Sequence, residues 1–272
     1  MSEYPPAIPR ALTIAGSDSG GGAGIQADLK TFSALGVYGL SAITAITAQN
    51  TEGVRAVVDT APRMIEEQID AVMEDIGADA AKTGMLASVA IISTVARSVR
   101  KWRLRVVVDP VMRSTSGTPL LQPDAVATLC SDLFPLAEVV TPNIPEAEVL
   151  VGGRRIETLV AMREAAKAIH AMGPRHVVVT GGHASGEPVD VYFDGDQFVE
   201  FVGERIQTRH THGTGCTFSA AIAAYLAQGL STREAVGEAK GYTTNALRHA
   251  PNLGHGHGPL EHFWHYKDIL RK

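Results

Sequence analysis

A glycine-rich segment in the last quarter of the chain has residues suited to binding negative charge. It reads His210-Thr211-His212-Gly213-Thr214-Gly215-Cys216-Thr217 and precedes a run of small apolar residues. The free N–H groups of a helix N-terminus bind anions, and glycines allow a phosphate to come close. A cysteine at that point should have a lowered pKa, because the helix dipole favours the thiolate. The segment predicts an anion-binding turn; the alternative is a small-residue turn in which Cys216 is an inert core thiol.

A second glycine cluster, at 16–24, follows an apolar run and precedes a helical pattern. Its glycines do not fit a clean GxGxxG spacing, and no GxxxxGK[ST] motif occurs, so neither a dinucleotide-binding turn nor a P-loop is indicated. Glycines cost conformational entropy, and this cluster has four of them within five residues. We therefore expect a ligand to approach the backbone closely here, rather than glycines that serve only the turn.

Two polar segments supply candidate metal ligands. Asn143 and Glu146 follow an apolar run, and an amide and a carboxylate at this spacing suit a hydrated Mg²⁺ on ATP phosphates. The alternative is an N-capping pair, in which Asn143 caps a helix and Glu146 reaches back to it. Asp109 also ends an apolar run, where it would serve Mg²⁺ or cap the next turn.

Short apolar runs that alternate with helical patterns must position these residues. The runs at 11–15, 106–108, 139–141 and 176–180 are continuous, which is typical of strands buried on both faces of a parallel sheet. Residues 189–201 instead indicate a small antiparallel hairpin. We predict one α/β domain over residues 1–272, with a loose lead-in at 1–9. Ligands collect at the carboxyl ends of such strands, where the polar segments lie.

Composition excludes several other classes of protein. The 272 residues are 45% hydrophobic and 19% charged, with a net charge of −5, which argues against nucleic acid or an anionic membrane as a partner. No apolar stretch approaches the roughly 18 residues of a membrane span. Two cysteines are too few for a disulfide framework, so we expect a reduced, cytoplasmic protein.

The motifs together resemble a known family. Gly213–Cys216, the Asn-x-x-Glu at 143–146 and the segment Asp109-Pro110-Val111-Met112 resemble the ribokinase superfamily. The glycine loop, Ala48-Gln49-Asn50-Thr51, Lys82-Thr83-Gly84-Met85-Leu86 and the tail at 254–260 resemble the hydroxymethylpyrimidine/phosphomethylpyrimidine kinases. The resemblance covers nearly the whole chain in the same order. It implies a ribokinase-like three-layer sandwich with a mostly parallel central sheet and helices on both faces.

The resemblance also implies an activity and a set of site residues. The activity is two ATP-dependent phosphorylations, first of 4-amino-5-hydroxymethyl-2-methylpyrimidine and then of its monophosphate, by a homodimer using Mg²⁺. Substrate-binding residues would be Gln49, on the aminopyrimidine edge, with Gly16, Asp18, Ala23, Met85 and Val111. Catalytic residues would be Gly213, Thr214, Gly215 and the base Cys216. Asn143, Glu146, Thr180, Gly182 and Thr211 would bind the nucleotide, with Asp109 and Glu146 as metal ligands.

Some features leave alternatives open. In this family, the stretch that begins at Arg113 often reads Val-Ala-Lys, and a lysine often stands at the position of Thr180, before two glycines.

A pyridoxal/pyridoxine kinase would share the fold and the ATP site; Gln49 and Met85 favour the aminopyrimidine. A ligand sensor without turnover is disfavoured by the intact anion-binding turn. A sugar kinase is disfavoured because no strand-rich lid region is found near the N-terminus.

Overall fold

One sheet runs through the part of the chain that the computed structural model describes, residues 8–182 and 187–266. Its nine strands are β1 (Arg10–Asp18), β2 (Tyr38–Asn50), β3 (Gly53–Asp59), β4 (Ala80–Thr83), β5 (Val106–Val108), β6 (Ala137–Val140), β7 (His176–Val179), β8 (Val189–Phe193) and β9 (Phe198–Val202). Their order in the sheet is β3-β2-β1-β4-β5-β6-β7-β8-β9. Within this order, the six neighbouring strands β2, β1, β4, β5, β6 and β7 pair in parallel. The strand β3 at one edge and the β8–β9 hairpin at the other edge are antiparallel.

Helices cover both faces of the sheet. They are α1 (Gly24–Ala34), α2 (Pro62–Asp75), α3 (Val89–Trp102), α4 (Ala125–Thr128), α5 (Ile144–Leu150), α6 (Leu159–His170), α7 (Thr214–Ala227) and α8 (Thr232–Arg248). The core of one face contains residues of α1, α7 and α8, and the core of the other contains residues of α2, α3, α5 and α6. No helix among the described residues has the length and apolar character needed to cross a bilayer.

The two cores follow from the two-residue period of the strands. In β5, Val106 and Val108 belong to the core that includes α3, and Val107 belongs to the core that includes α7. All three side chains are fully buried. A strand in this position needs apolar residues on both sides, which is why these runs are continuous rather than alternating.

Local signals set the bounds of several helices, as the sequence predicts. Pro62 occupies the first turn of α2, where its missing N–H has no cost. Gly36 follows α1 with a φ of +73°, in the left-handed region that favours glycine. Ser231 begins α8 with a capping box, since its hydroxyl accepts from Glu234 N–H and the Glu234 carboxylate accepts from Ser231 N–H.

The structure differs from the sequence-based expectation in two strands. β3 is largely exposed and β4 contains the charged residue Lys82, so neither has the apolar pattern of a buried strand. β4 lies centrally in the sheet, between β1 and β5. The lead-in predicted at residues 1–9 lies mostly outside the described residues.

Packing of α2 gives a stability prediction. Only Ile65 and Ile69 are buried along this helix, so they hold it on the sheet. We expect Ile69→Ala to lower the free energy of unfolding by about 2–5 kcal/mol, because it removes buried methyl groups and leaves a cavity. Met64→Ala, at an exposed position of the same helix, should change it by no more than about 0.5 kcal/mol. Urea denaturation of both variants is the measurement, and equal losses would contradict the packing role of Ile69.

Candidate active site

A cavity of about 700 Å³ lies where the parallel strands end. The carboxyl ends of β1, β4 and β5 contribute Asp18, Gly84 and Asp109 to its wall. The start of α7 and the turn before α5 complete it. The crevice expected at the carboxyl ends of the strands is therefore present, and the two glycine segments, almost 200 residues apart in the chain, meet in it.

The cavity brings together nearly all the residues that the sequence nominates. The lining residues among them are Gly16, Asp18, Ala23, Gln49, Met85, Asp109, Val111, Asn143, Glu146, Gly182, Thr211, Gly213, Thr214, Gly215 and Cys216. Thr180 does not line it. Its N–H donates to the Pro142 carbonyl at 2.9 Å, which places Thr180 beside the Asn143 turn and behind the wall.

The start of α7 has the form of an anion hole. Gly213 is the N-cap residue and has a φ of +84°. Thr214 N–H donates to the Thr211 carbonyl, but among the described residues no acceptor faces the N–H of Gly215 or Cys216. These two amides border the cavity, so they are free to bind a negatively charged oxygen.

The glycine loop lies directly against this turn. A Cβ atom on Gly213 would lie 1.8 Å from the Gly22 carbonyl oxygen, and one on Gly22 would lie 2.5 Å from His212 Cδ2. Neither position tolerates a side chain. The glycines at these two positions therefore serve the close packing of two backbone segments, and the loop amides of Gly20, Gly22 and Ala23 donate to Asp18 rather than to a ligand.

The predicted lowering of the Cys216 pKa is wrong. Burial raises the pKa of the Cys216 thiol to about 12, and the carboxylates of Asp109 and Asp28 add to the effect of burial. Lys82 and a hydrogen bond from the Gly24 N–H oppose it without reversing it. The helix-start argument considered only the amides of α7, whereas desolvation and two neighbouring carboxylates dominate. Cys216 is thus a thiol in this site at neutral pH.

Lys82 is a buried cation beside the site. Its side chain is 0% exposed and its Nζ lies 3.1 Å from the Asp28 carboxylate, which also accepts from the Thr13 hydroxyl. Burial opposes the charge of Lys82, but Asp28, Cys216 and Asp109 together raise its pKa above the ordinary value. Lys82 thus provides a fixed ammonium group near Cys216 and Asp109, with Asp28 as its counter-ion.

Asn143 and Glu146 form the capping box that was the alternative to a metal site. Asn143 Oδ1 accepts from Glu146 N–H at 3.0 Å, and Glu146 Oε2 accepts from Asn143 N–H at 3.0 Å. The box begins α5. Burial and the charge of Asp109 raise the pKa of Glu146 to about 8. Burial likewise raises the pKa of Asp109 to about 6 despite the nearby Lys82.

These two carboxyl groups fit a hydrated Mg²⁺. Mg²⁺ is usually held by one or two carboxylates together with waters and substrate phosphates, rather than by a full protein cage. Among the described residues no cluster of three or more candidate ligands occurs. The raised pKa values of Asp109 and Glu146 also indicate a shortage of positive charge that a cation would correct.

A second group of residues lining the cavity includes polar side chains suited to a small ring. Gln49 lies there beside His212, and His212 Nε2 is 2.9 Å from Asp18 Oδ2. Met85 supplies an apolar wall next to Gly16, where a Cβ atom would meet the Met85 sulfur at 3.2 Å. One cavity thus combines these polar and apolar side chains with the free amides at the start of α7.

Comparison with known proteins identifies the family. The phosphomethylpyrimidine kinase family matches residues 18–261. The chain belongs to this family. A hydroxymethylpyrimidine/phosphomethylpyrimidine kinase of Rhizobium meliloti is 54% identical over 256 residues, which cover 93% of this chain and 96% of that protein. The enzyme is therefore a phosphotransferase, as the sequence predicts.

Two other relatives extend the comparison. The thiamine biosynthesis bifunctional protein ThiED of Geobacter sulfurreducens is 53% identical over 260 residues, which cover 95% of this chain but only 53% of that protein. The chain thus spans about half the length of this bifunctional relative. Pyridoxal kinase of Bacillus subtilis, solved as an ADP complex, has a TM-score of 0.88 and 43% identity, with 94% of this chain and 98% of that chain covered. The ribokinase-like three-layer fold is confirmed.

Sequence reasoning gave no role to three residues of the kinase site. Lys82 lies in the segment Lys82-Thr83-Gly84-Met85-Leu86, which carries the family resemblance but gave Lys82 no role, because its partner Asp28 is 54 positions away. His212 directly precedes Gly213, so its position next to the predicted anion-binding turn placed it near the site. Thr115, whose hydroxyl lies 3.1 Å from His212 Nδ1, had no such signal, because the two residues are 97 positions apart.

The turn at Gly213 gives a prediction for the kinase. Gly213→Ala should lower kcat/KM by about 10²–10³-fold, the loss typical of a damaged oxyanion hole, because the added methyl group displaces the turn from the Gly22 carbonyl. Gly229→Ala is the matched control. Its φ is +92°, but a methyl group there meets no atom within 4 Å, so it should cost only about 1–2 kcal/mol of stability and leave kcat/KM unchanged. Similar activity in both variants would show that the close contact is unimportant.

Proposed function

We propose that the enzyme transfers the γ-phosphoryl group of ATP to the hydroxymethyl group of 4-amino-5-hydroxymethyl-2-methylpyrimidine, and then phosphorylates the monophosphate to the diphosphate, in thiamine biosynthesis. The observation that carries this proposal is the single cavity that is lined both by Gln49 and by the free amides of Gly215 and Cys216. The names of the Rhizobium and Geobacter relatives support the substrate and the pathway.

Each group of residues has a role in this reaction. Gln49 and Asp18 serve the pyrimidine end, and Gly16, Ala23, Met85 and Val111 line the ring. The amides at 213–216 bind the phosphoryl oxygens as charge shifts from donor to acceptor. Because phosphoryl transfer has a loose transition state, positioning and charge stabilisation supply most of the rate enhancement.

The nucleotide end is assigned to a second group. Asn143, Glu146, Thr180, Gly182 and Thr211 are proposed to serve ATP, with Thr180 acting through the Asn143 turn. Asp109 and Glu146 would hold Mg²⁺. Bound with the phosphates, that ion would neutralise part of their charge.

Cys216 has a narrower role than a preformed thiolate would have. Its thiol is protonated at neutral pH, so it accepts the alcohol proton only in the ionised fraction, which the Lys82 charge favours. A loose transition state needs little help from a base. Lys82 therefore contributes by favouring both the thiolate and the developing negative charge.

Three broader properties remain proposals. The continuous sheet supports a single domain over residues 1–272. The cross-strand pair Ile46 and Val58 is 60% and 68% exposed, and a homodimer would cover such an apolar edge. The cytoplasmic setting expected from composition stays a prediction.

Product analysis tests the proposed function. With ATP and Mg²⁺, the pyrimidine alcohol should give first the monophosphate and then the diphosphate, each resolved by mass spectrometry. Removal of Mg²⁺ by EDTA should abolish both products, because charge neutralisation at the phosphates is lost. Pyridoxal, run in parallel, should have a much lower kcat/KM. Efficient phosphorylation of pyridoxal with no pyrimidine product would instead establish a vitamin B6 kinase.

Cys216→Ala should separate the two steps. The alcohol must lose a proton in the first step, so we expect that step to fall by about 10²-fold, the low end of general-base effects. The second step should fall less, because the attacking phosphate oxygen is already largely ionised at neutral pH. Initial rates with the alcohol and with the monophosphate are the measurement. Cys130→Ala, at the only other cysteine, is the control and should change neither step; equal losses in Cys216→Ala would rule out a proton-accepting role.

A further inference from the structure

The neighbours of His212 determine that its Nε2 atom carries a hydrogen. Asp18 is 3% exposed, and its carboxylate accepts N–H groups from Gly20 at 2.8 Å, Gly22 at 3.0 Å and Ala23 at 2.9 Å. His212 Nε2 lies 2.9 Å from the same carboxylate. A carboxylate that receives three N–H groups acts as an acceptor, so His212 Nε2 carries a hydrogen.

The other ring nitrogen does not change this conclusion. His212 Nδ1 lies 3.1 Å from the Thr115 hydroxyl, which donates to a neutral ring and accepts from a protonated one. In either charge state Nε2–H points to Asp18. The ring is 6% exposed and lies against Gly22, where no side chain fits, so its orientation is fixed as well.

This hydrogen constrains the Gln49 side chain. As placed, the Gln49 amide nitrogen lies 3.2 Å from His212 Nε2, and the amide oxygen lies 3.3 Å from Thr47 Oγ1. In the first contact two N–H donors face each other, the Gln49 amide and the His212 ring. The single hydroxyl hydrogen of Thr47 is already used in a 2.9 Å bond to the Ser17 carbonyl.

A half-turn of the amide resolves both contacts, since amide oxygen and nitrogen occupy nearly equivalent positions. The Gln49 oxygen then shares the single His212 Nε2 hydrogen with Asp18 in a three-centre bond, with Asp18 at 2.9 Å and Gln49 at 3.2 Å, and the Gln49 NH₂ group donates to Thr47 Oγ1. Each donor in the group now has an acceptor. One N–H and one oxygen lone pair of Gln49 remain for a ligand in the cavity that this residue lines.

We propose that the His212–Asp18 pair, with Thr47, is a specificity device that fixes the polarity of Gln49 so that it presents a donor and an acceptor in one order to the substrate ring. This inference rests on the proposed function. A 4-aminopyrimidine offers a ring-nitrogen acceptor beside an amino donor, which complements that order. The hydroxypyridine ring of pyridoxal has no amino donor. A Gln49 amide free to turn would accommodate both rings, so the fixed amide selects the aminopyrimidine.

Steady-state kinetics of three variants tests the device. His212→Leu removes the Nε2–H donor, His212→Gln supplies an amide donor in its place, and Thr47→Val removes the acceptor on the other side of Gln49 at nearly constant volume. KM and kcat are measured for the pyrimidine alcohol, for pyridoxal and for ATP. His170→Leu, at the end of α6 and outside the cavity wall, is the control and should leave all values unchanged.

The expected signature lies in KM and in substrate preference. His212→Leu should raise KM for the pyrimidine by about 10- to 100-fold, the effect of one unsatisfied buried polar group, and leave KM for ATP unchanged. The ratio of kcat/KM for the pyrimidine over pyridoxal should fall in His212→Leu and in Thr47→Val, and should recover in His212→Gln. Should the leucine variant fail to fold, Thr47→Val and His212→Gln still decide the question.

Two outcomes overturn the inference separately from the proposed function. An unchanged preference ratio in His212→Leu and Thr47→Val, or an equal loss with both alcohols, would reduce the pair to a structural role. An unmutated enzyme that phosphorylates no pyrimidine would instead refute the proposed function itself.

Discussion

The carboxylate of Asp18 ties the two glycine turns of the site to each other. It ends β1 and accepts from the loop amides of Gly20, Gly22 and Ala23, and from His212, 194 residues further along the chain. Burial opposes its ionisation, but the hydrogen bonds from His212 and the loop amides hold the pKa of Asp18 below its ordinary value. Burial of a carboxylate costs free energy unless its oxygens accept hydrogen bonds. The glycine loop and His212 both donate to Asp18, so each turn stabilises the other.

This connection fixes the position of Gln49 and His212 relative to the amides at the start of α7. The Gly22 backbone lies against Gly213, and Gly213 begins the helix whose amides form the anion hole. The same carboxylate orients His212 beside Gln49. The proposed recognition of the ring and the proposed stabilisation of the transferred phosphoryl group therefore depend on one connected unit. Rigid placement of reacting groups is the main resource of a phosphoryl-transfer enzyme.

The buried charges of the site indicate what it is built to receive. Lys82 is already paired with Asp28, whereas Asp109 and Glu146 have raised pKa values and lack a full counter-charge. By contrast, the amides of Gly215 and Cys216 at the start of α7 are hydrogen-bond donors that have no acceptor among the described residues. A ligand that brings phosphate oxygens together with a divalent cation satisfies both needs at once. In the proposed function, each half of the charge distribution of Mg·ATP would therefore meet a pre-organised partner in the protein.

What the sequence predicts well depends on patterns within a short stretch of chain. Continuous apolar runs identified the buried strands, and the glycine turns were correctly placed at the cavity. β4 was missed because its central lysine is neutralised by Asp28, 54 residues away, which no local pattern reveals. The Cys216 pKa was wrong for the same reason, since burial and distant carboxylates outweigh the local helix start.

The Asn143–Glu146 pair shows why some alternatives cannot be separated from sequence at all. Capping and cation binding require the same two residue types at the same spacing. The structure confirms the capping box, but a carboxylate has about four lone-pair positions, and capping uses few of them. The box also holds Glu146 near Asp109, where burial and then the charge of Asp109 raise the pKa of Glu146. Capping is therefore the means by which a ligand for a cation would be positioned, and the two interpretations are complementary.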